Sequence, residues 1–171
     1  LYSSAASDVY KRQIVYCAEM GADIINCAYS GSYYSAFAQA AINALVREYD
    51  CIIVCAAGND DWNNDNSPQY PADYKNTLSV AALTNMDAKA SYSNYGESID
   101  ISAPGGEGNI SATAILSTTQ RDMNNGYASF QGTSLASSIV AGGFAMLKTF
   151  FPQKSGGWLI EQMLKHADRI D

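Results

Sequence analysis

Gln131-Gly132-Thr133-Ser134-Leu135-Ala136 places a serine where a Gly-Thr turn opens a long apolar helix. Leu135, Ile139, Val140, Phe144, Leu147 and Phe151 recur at helical spacing, which predicts a helix over residues 135–151. At a helix N-terminus the backbone N–H groups lack intrahelical partners and the dipole end is positive. A nucleophile there would have its oxyanion stabilised as it forms. Taken alone, a serine that opens a helix is first of all its cap. A second segment bears on the choice. Cys51-Ile52-Ile53-Val54-Cys55-Ala56-Ala57 is a continuous apolar run, β-branched at its centre, and predicts a strand buried on both faces. It stops at Gly58-Asn59-Asp60, so Asn59 projects from the carboxyl end, where open α/β sheets carry their sites. Its amide could donate to an oxyanion, although alone it reads as the asparagine of an ordinary turn.

The elements that must position these two residues alternate in an α/β manner. Residues 14–20 read as the end of a helix stopped by Gly21, and residues 23–28 as a strand before a Gly31-Ser32 turn. A helix is predicted over 34–49, with Phe37, Ala41, Leu45 and Glu48 in its period. Further strands are expected at 77–83, 98–102 and 114–117, and a last helix at 158–167 beyond a Gly156-Gly157 hinge.

From about Ile14 onward the chain resembles the subtilisin-like serine peptidases, the subtilases, with the matching stretches in family order. These are Gly21-Ala22-Asp23-Ile24-Ile25-Asn26, Ala56-Ala57-Gly58-Asn59 and Tyr70-Pro71-Ala72. They are followed by Ser91-Tyr92-Ser93-Asn94-Tyr95-Gly96, Ile101-Ser102-Ala103-Pro104-Gly105, and Gly132-Thr133-Ser134-Leu135-Ala136 continued by Val140-Ala141-Gly142. The resemblance implies a doubly wound, mostly parallel sheet with helices on both faces, represented by the C-terminal half of one catalytic domain.

The same resemblance implies serine endopeptidase chemistry, with Ser134 as the acyl-accepting nucleophile. Asn59 and the Ser134 backbone N–H would stabilise the tetrahedral intermediate. Ala56, Ala57 and Gly58 would line one wall of the primary specificity pocket and Ala28, Tyr29 and Ser30 the other, with Thr133 beside them. Asp60 and Gln69 would approach the floor, implying polar or basic side chains before the scissile bond. The Tyr70–Pro71 bond would be cis. Ser30 and Ser138 stand where the family pattern has a glycine and a proline. The partner is a polypeptide substrate, no cofactor is required for the chemistry, a structural calcium is allowed, and secretion or cell-surface display is expected.

The triad order in this family is Asp, His, Ser, yet the one histidine, His166, follows Ser134 and is expected at a helix end. A serine without an imidazole is a poor nucleophile at neutral pH. The base and its orienting carboxylate are therefore expected from a missing N-terminal half, and the domain is placed at residues 14–171, truncated on that side. Residues 1–13 do not resemble the family and read as a non-native or disordered leader. The competing reading is a non-catalytic subtilase-like domain that binds peptides or scaffolds a surface protein, and retention of both Ser134 and Asn59 argues against it. An α/β-hydrolase would show G-x-S-x-G, where this chain has Gly132-Thr133-Ser134-Leu135-Ala136.

Net charge is −7 over 171 residues, with Lys and Arg scattered, so no patch suits nucleic acid. No apolar run is long enough to span a membrane. Cys17, Cys27, Cys51 and Cys55 lack metal spacing; a Cys27–Cys55 bridge requires neighbouring strands, and the free thiols are the preferred reading. Asp61, Asn63 and Asp65 alternate like calcium ligands, but the glycine and closing acid of a calcium loop are replaced by Asn66 and Ala72. A solvated loop is the expectation there, and no metal residue is assigned.

Overall fold

A computed structural model describes residues 12–108, 113–120 and 124–170 of the chain. Residues 12–19 form α1, which ends at Gly21; at φ 87° this glycine returns its N–H to Ala18 O. Of the stretch read as a leader, residues 12 and 13 belong to α1 and the others lie outside the described residues. β1 (Ile24–Cys27) follows, then α2 (Ala36–Tyr49), capped by the Ser35 hydroxyl on Ala38 N–H and closed by Asp50 in the left-handed region. β2 (Ile52–Ala56), β3 (Leu78–Leu83) and β4 (Ile101–Pro104) complete a parallel sheet in the order β1-β2-β3-β4.

β2 is buried along its whole length because it is covered on both sides. Ile53 and Cys55 pack with Ile25, Cys27, Ala38, Ile42 and Leu45 on the α1/α2 face. Ile52 and Val54 face the other way, into a core with Val80, Val140, Phe144 and Leu159. That core is closed by α3 (Thr133–Phe150) and α4 (Gly156–His166). The sheet is therefore doubly wound, with helices on both faces.

Three expectations change. The strand expected at 98–102 starts later, at Ile101, because the Asp65 carboxylate takes the Glu97 and Ser98 N–H groups at 2.8 and 3.0 Å. A strand not expected, β6 (Tyr127–Phe130), pairs antiparallel with β5 (Ile115–Thr118). Gly156-Gly157 is the first turn of α4 rather than a hinge, with Ser155 as its cap. A Cβ on Gly156 would stand 2.7 Å from Asp50 O, so the glycine lets α4 close against the end of α2.

Candidate active site

β1 and β2 run parallel with Cys27 opposite Cys55, so Ala28 and the Ala57-Gly58-Asn59 turn emerge side by side from the same sheet edge. α3 begins over this edge. Its N-cap is Gly132, and no side chain caps it, so the reading of Ser134 as a cap does not hold. The Ser134 hydroxyl instead donates to Ala28 O at 2.8 Å, bringing two of the expected site residues together. Ser134 lies in the first turn of α3, where its own N–H has no intrahelical acceptor.

Asn59 is no ordinary turn residue either. Its Oδ1 accepts from the Thr133 N–H and from the Thr133 hydroxyl, each at 2.9 Å. The Thr133 hydroxyl oxygen in turn accepts from Gly58 N–H at 3.3 Å. With the carbonyl end of the amide occupied, Nδ2 is the end left to a ligand. A Cβ built on Gly132 would lie 3.8 Å from Asn59 Nδ2 and 3.8 Å from the Ser134 nitrogen, so both donors border one small space in front of Gly132. Gly132 itself sits at φ 148°, its N–H donating to Gly105 O and to the Tyr92 hydroxyl, each at 2.9 Å. Tyr92 donates onward to the Gly105 and Gly106 carbonyls, and its burial pushes the phenol pKa up, so the hydroxyl stays protonated.

Residues 69–70 pack beside the Ala57-Gly58-Asn59 turn. Gly31 and Tyr70 exchange backbone hydrogen bonds of 2.9 and 2.6 Å, which brings 69–70 against 28–31. Gln69 is buried, and a Cβ on Gly58 would touch its Cγ at 3.4 Å, so its side chain packs against the Gly58 turn. Ala56, Ala57 and Gly58 are buried, while Ala28 and Ser30 are exposed and Tyr29 partly so. Asp60 is exposed, and the contact that fixes it is its backbone N–H on Asn94 Oδ1. The Tyr70–Pro71 bond is cis. Ser138 accepts from Asn26 Nδ2 at 2.9 Å and donates to Ser134 O at 2.8 Å, tying the start of α3 to β1.

Other sequence features settle elsewhere. His166 ends α4, exposed, with Nδ1 on Gln162 O at 2.9 Å. Cys27 and Cys55 face each other across neighbouring strands as free thiols, and burial drives the Cys55 pKa up. The side chains of Asp61, Asn63 and Asp65 meet protein donors. Asp61 pairs with Lys89 at 2.6 Å, Asn63 Oδ1 accepts from Asp65 N–H, and both Asp65 oxygens are held by backbone N–H groups. Among the described residues no helix is long and apolar enough to cross a membrane. Sequence reasoning gave no role to Tyr92, Asn64 or Asn94. Tyr92 and Asn94 lie inside a stretch that carries the family resemblance, and that membership is the one signal the sequence offers for them.

A family model described as the Subtilase family matches residues 2–168. The chain belongs to the subtilase family. Among relatives of this subtilase, an extracellular protease of Xanthomonas campestris pv. campestris is 40% identical over 153 residues, covering 86% of the chain and 25% of that protein. Thermitase of Thermoactinomyces vulgaris is 36% identical over 129 residues, covering 75% of the chain and 41% of that protein. A protease structure from Pseudoalteromonas arctica superposes with a TM-score of 0.76 at 30% identity, covering 86% of the chain and 44% of that structure. The subtilase chain thus spans less than half the length of each of these proteins.

Proposed function

We propose that this chain carries the nucleophile and the oxyanion site of a serine endopeptidase. The observation that carries the reading is the double hydrogen bond from Thr133 to Asn59 Oδ1, which leaves Nδ2 beside the Ser134 N–H. In the reaction, Ser134 Oγ attacks the scissile carbonyl of a polypeptide. The carbonyl oxygen becomes an oxyanion held by Asn59 Nδ2 and the Ser134 N–H, both fixed before the charge develops. The hydroxyl proton passes to an imidazole, which returns it to the leaving amine. Water then releases the acyl group by the same route. None of these steps calls for a cofactor.

The imidazole and its orienting carboxylate are proposed to come from a preceding segment of the whole protein. Two features support this. β1 has no neighbour on its outer side among the described residues, and a groove of about 590 Å³ opens there, lined by Ile14, Tyr16, Cys17, Ile25 and Tyr29 among others. The face of α3 turned from the sheet exposes Ile139, Met146 and Phe150, the last at 73%. Apolar side chains exposed on one helix face are what contact with further structure would cover. The resemblance supports polar or basic side chains before the scissile bond, and the Xanthomonas relative, named an extracellular protease, supports secretion.

Peptide hydrolysis by the complete protein tests the reading. Ser134→Ala is expected to abolish turnover, by roughly 10⁶, a magnitude that itself comes from a subtilisin. Turnover that survives Ser134→Ala would reject it. Profiling on a peptide library would reject the polar preference if large apolar residues dominated.

A further inference from the structure

We propose that Asn94 is a positioning residue for the oxyanion site: it holds the backbone turn from which Asn59 aims its amide. The proposal rests on the acyl-transfer reading above. Asn94 is fully buried, and its single side chain grips one loop through every donor and acceptor it has. Oδ1 accepts from Asp60 N–H at 2.9 Å and from Trp62 N–H at 3.1 Å. Nδ2 donates to Ala57 O at 3.1 Å and to Asn64 Oδ1 at 2.9 Å. The Asn94 backbone N–H donates to Gly58 O at 3.1 Å. These bonds hold positions 57, 58, 60 and 62, on both sides of Asn59, whose own side chain is left to Thr133.

Buried Asn64 completes the clamp with a second donation to Ala57 O, at 3.0 Å. Gly58 is the glycine this clamp demands. At φ 114°, a Cβ there would stand 2.4 Å from Asn94 Nδ2, so the amide occupies the place a side chain would take. The chemistry also demands an amide. Aspartate has the same shape but only acceptors, and its carboxylate would face Ala57 O and Asn64 Oδ1 in repulsion. An apolar side chain would strand the Asp60 and Trp62 N–H groups. Asn94 touches no reacting atom; it acts through the geometry of Asn59.

Kinetics of the complete protein, carrying Asn94→Asp alone and together with Asn59→Ala, test this. Misplacing a catalytic group by about 1 Å costs on the order of 10²-fold. Asn94→Asp is therefore expected to lower kcat by about 10- to 100-fold with KM within about twofold. In the Asn59→Ala background the same change should cost less than about twofold, because residues acting as a unit are not additive. A role confined to stability predicts equal losses in both backgrounds, and that result overturns the proposal. So does an unchanged kcat in Asn94→Asp while Asn59→Ala is impaired. Should Asn94→Asp fail to fold, Asn64→Ala carries the test, with the same background dependence and a smaller loss expected. An Asn59→Ala protein of unchanged kcat would overturn the oxyanion reading and this proposal with it.

Discussion

Thr133 holds Asn59 Oδ1 with two hydrogen bonds of 2.9 Å, across 74 residues of sequence. The helix that presents Ser134 therefore also orients the amide that faces it. In the proposed site this ties the nucleophile to the oxyanion donor, which is what preorganisation of a charge-stabilising site requires.

Thr133→Val removes both roles of that hydroxyl at once. Valine keeps the shape in a fully buried position but leaves Gly58 N–H without its acceptor and Asn59 with one donor fewer. An unpaired buried donor costs about 1–3 kcal/mol. Denaturant unfolding of the complete protein should show that loss together with lower kcat, and Thr133→Ser should recover most of both. Equal behaviour of valine and serine variants would contradict the assignment.

Asn59→Ala should lower kcat with little change in KM, since an oxyanion forms only during reaction. The general size of the effect, itself drawn from a subtilisin, is roughly 10²–10³ in turnover. A variant whose KM rises while kcat is kept would place Asn59 in ground-state binding instead.

Two adjacent glycines at the start of α4 should respond oppositely to alanine. At Gly156 a Cβ meets Asp50 O at 2.7 Å, whereas at Gly157 nothing lies within 4 Å. Overpacking against backbone costs about 1–3 kcal/mol, so Gly156→Ala should lower the unfolding midpoint. Gly157→Ala should leave it unchanged or raise stability by up to about 1 kcal/mol. A comparable loss in both variants would show that α4 does not dock on Asp50.

The acidic limb of stability carries another signature. Burial raises the pKa of Asp73 and of Asp100 above 3.8; the charge of Asp65 raises Asp73 further, and that of Asp73 raises Asp100. A raised carboxyl binds its proton more tightly folded than unfolded, so these groups destabilise the charged state. The penalty is full above the folded pKa and vanishes as pH falls through it to 3.8. Asp73→Asn should therefore stabilise most near neutrality, with the gain shrinking as pH approaches 4. Denaturant unfolding against pH checks this, and a gain that grew on acidification would contradict it.

The core strands were legible because their signals are local. β2 announces itself by an uninterrupted apolar run; α2 lies where a helix is expected, but its buried face is Ala38, Ile42 and Leu45, whereas Phe37 and Glu48 of the expected period are exposed. Asn59 could be singled out because it follows β2, and Ser134 because it opens the apolar α3. β6 was missed because four residues of mixed exposure leave no alternation, although Asn125-Gly126, with Asn125 at φ 56°, offered a hairpin signal. The late start of β4 depends on Asp65, some thirty residues away, taking backbone N–H groups that a ladder would use. Asn94 was hidden for a similar reason. In a polar, turn-rich stretch nothing in its neighbours shows that its amide is spent on residues 57–64.

The central claim is that Ser134 is the nucleophile of an acyl-transfer site. The most direct measurement is reaction of the complete protein with a serine-directed phosphonate, followed by peptide mapping. The account predicts one adduct, on Ser134, formed more slowly in Asn59→Ala and absent from Ser134→Ala. A complete, folded protein that stays unlabelled, or carries its label on another residue, would contradict it.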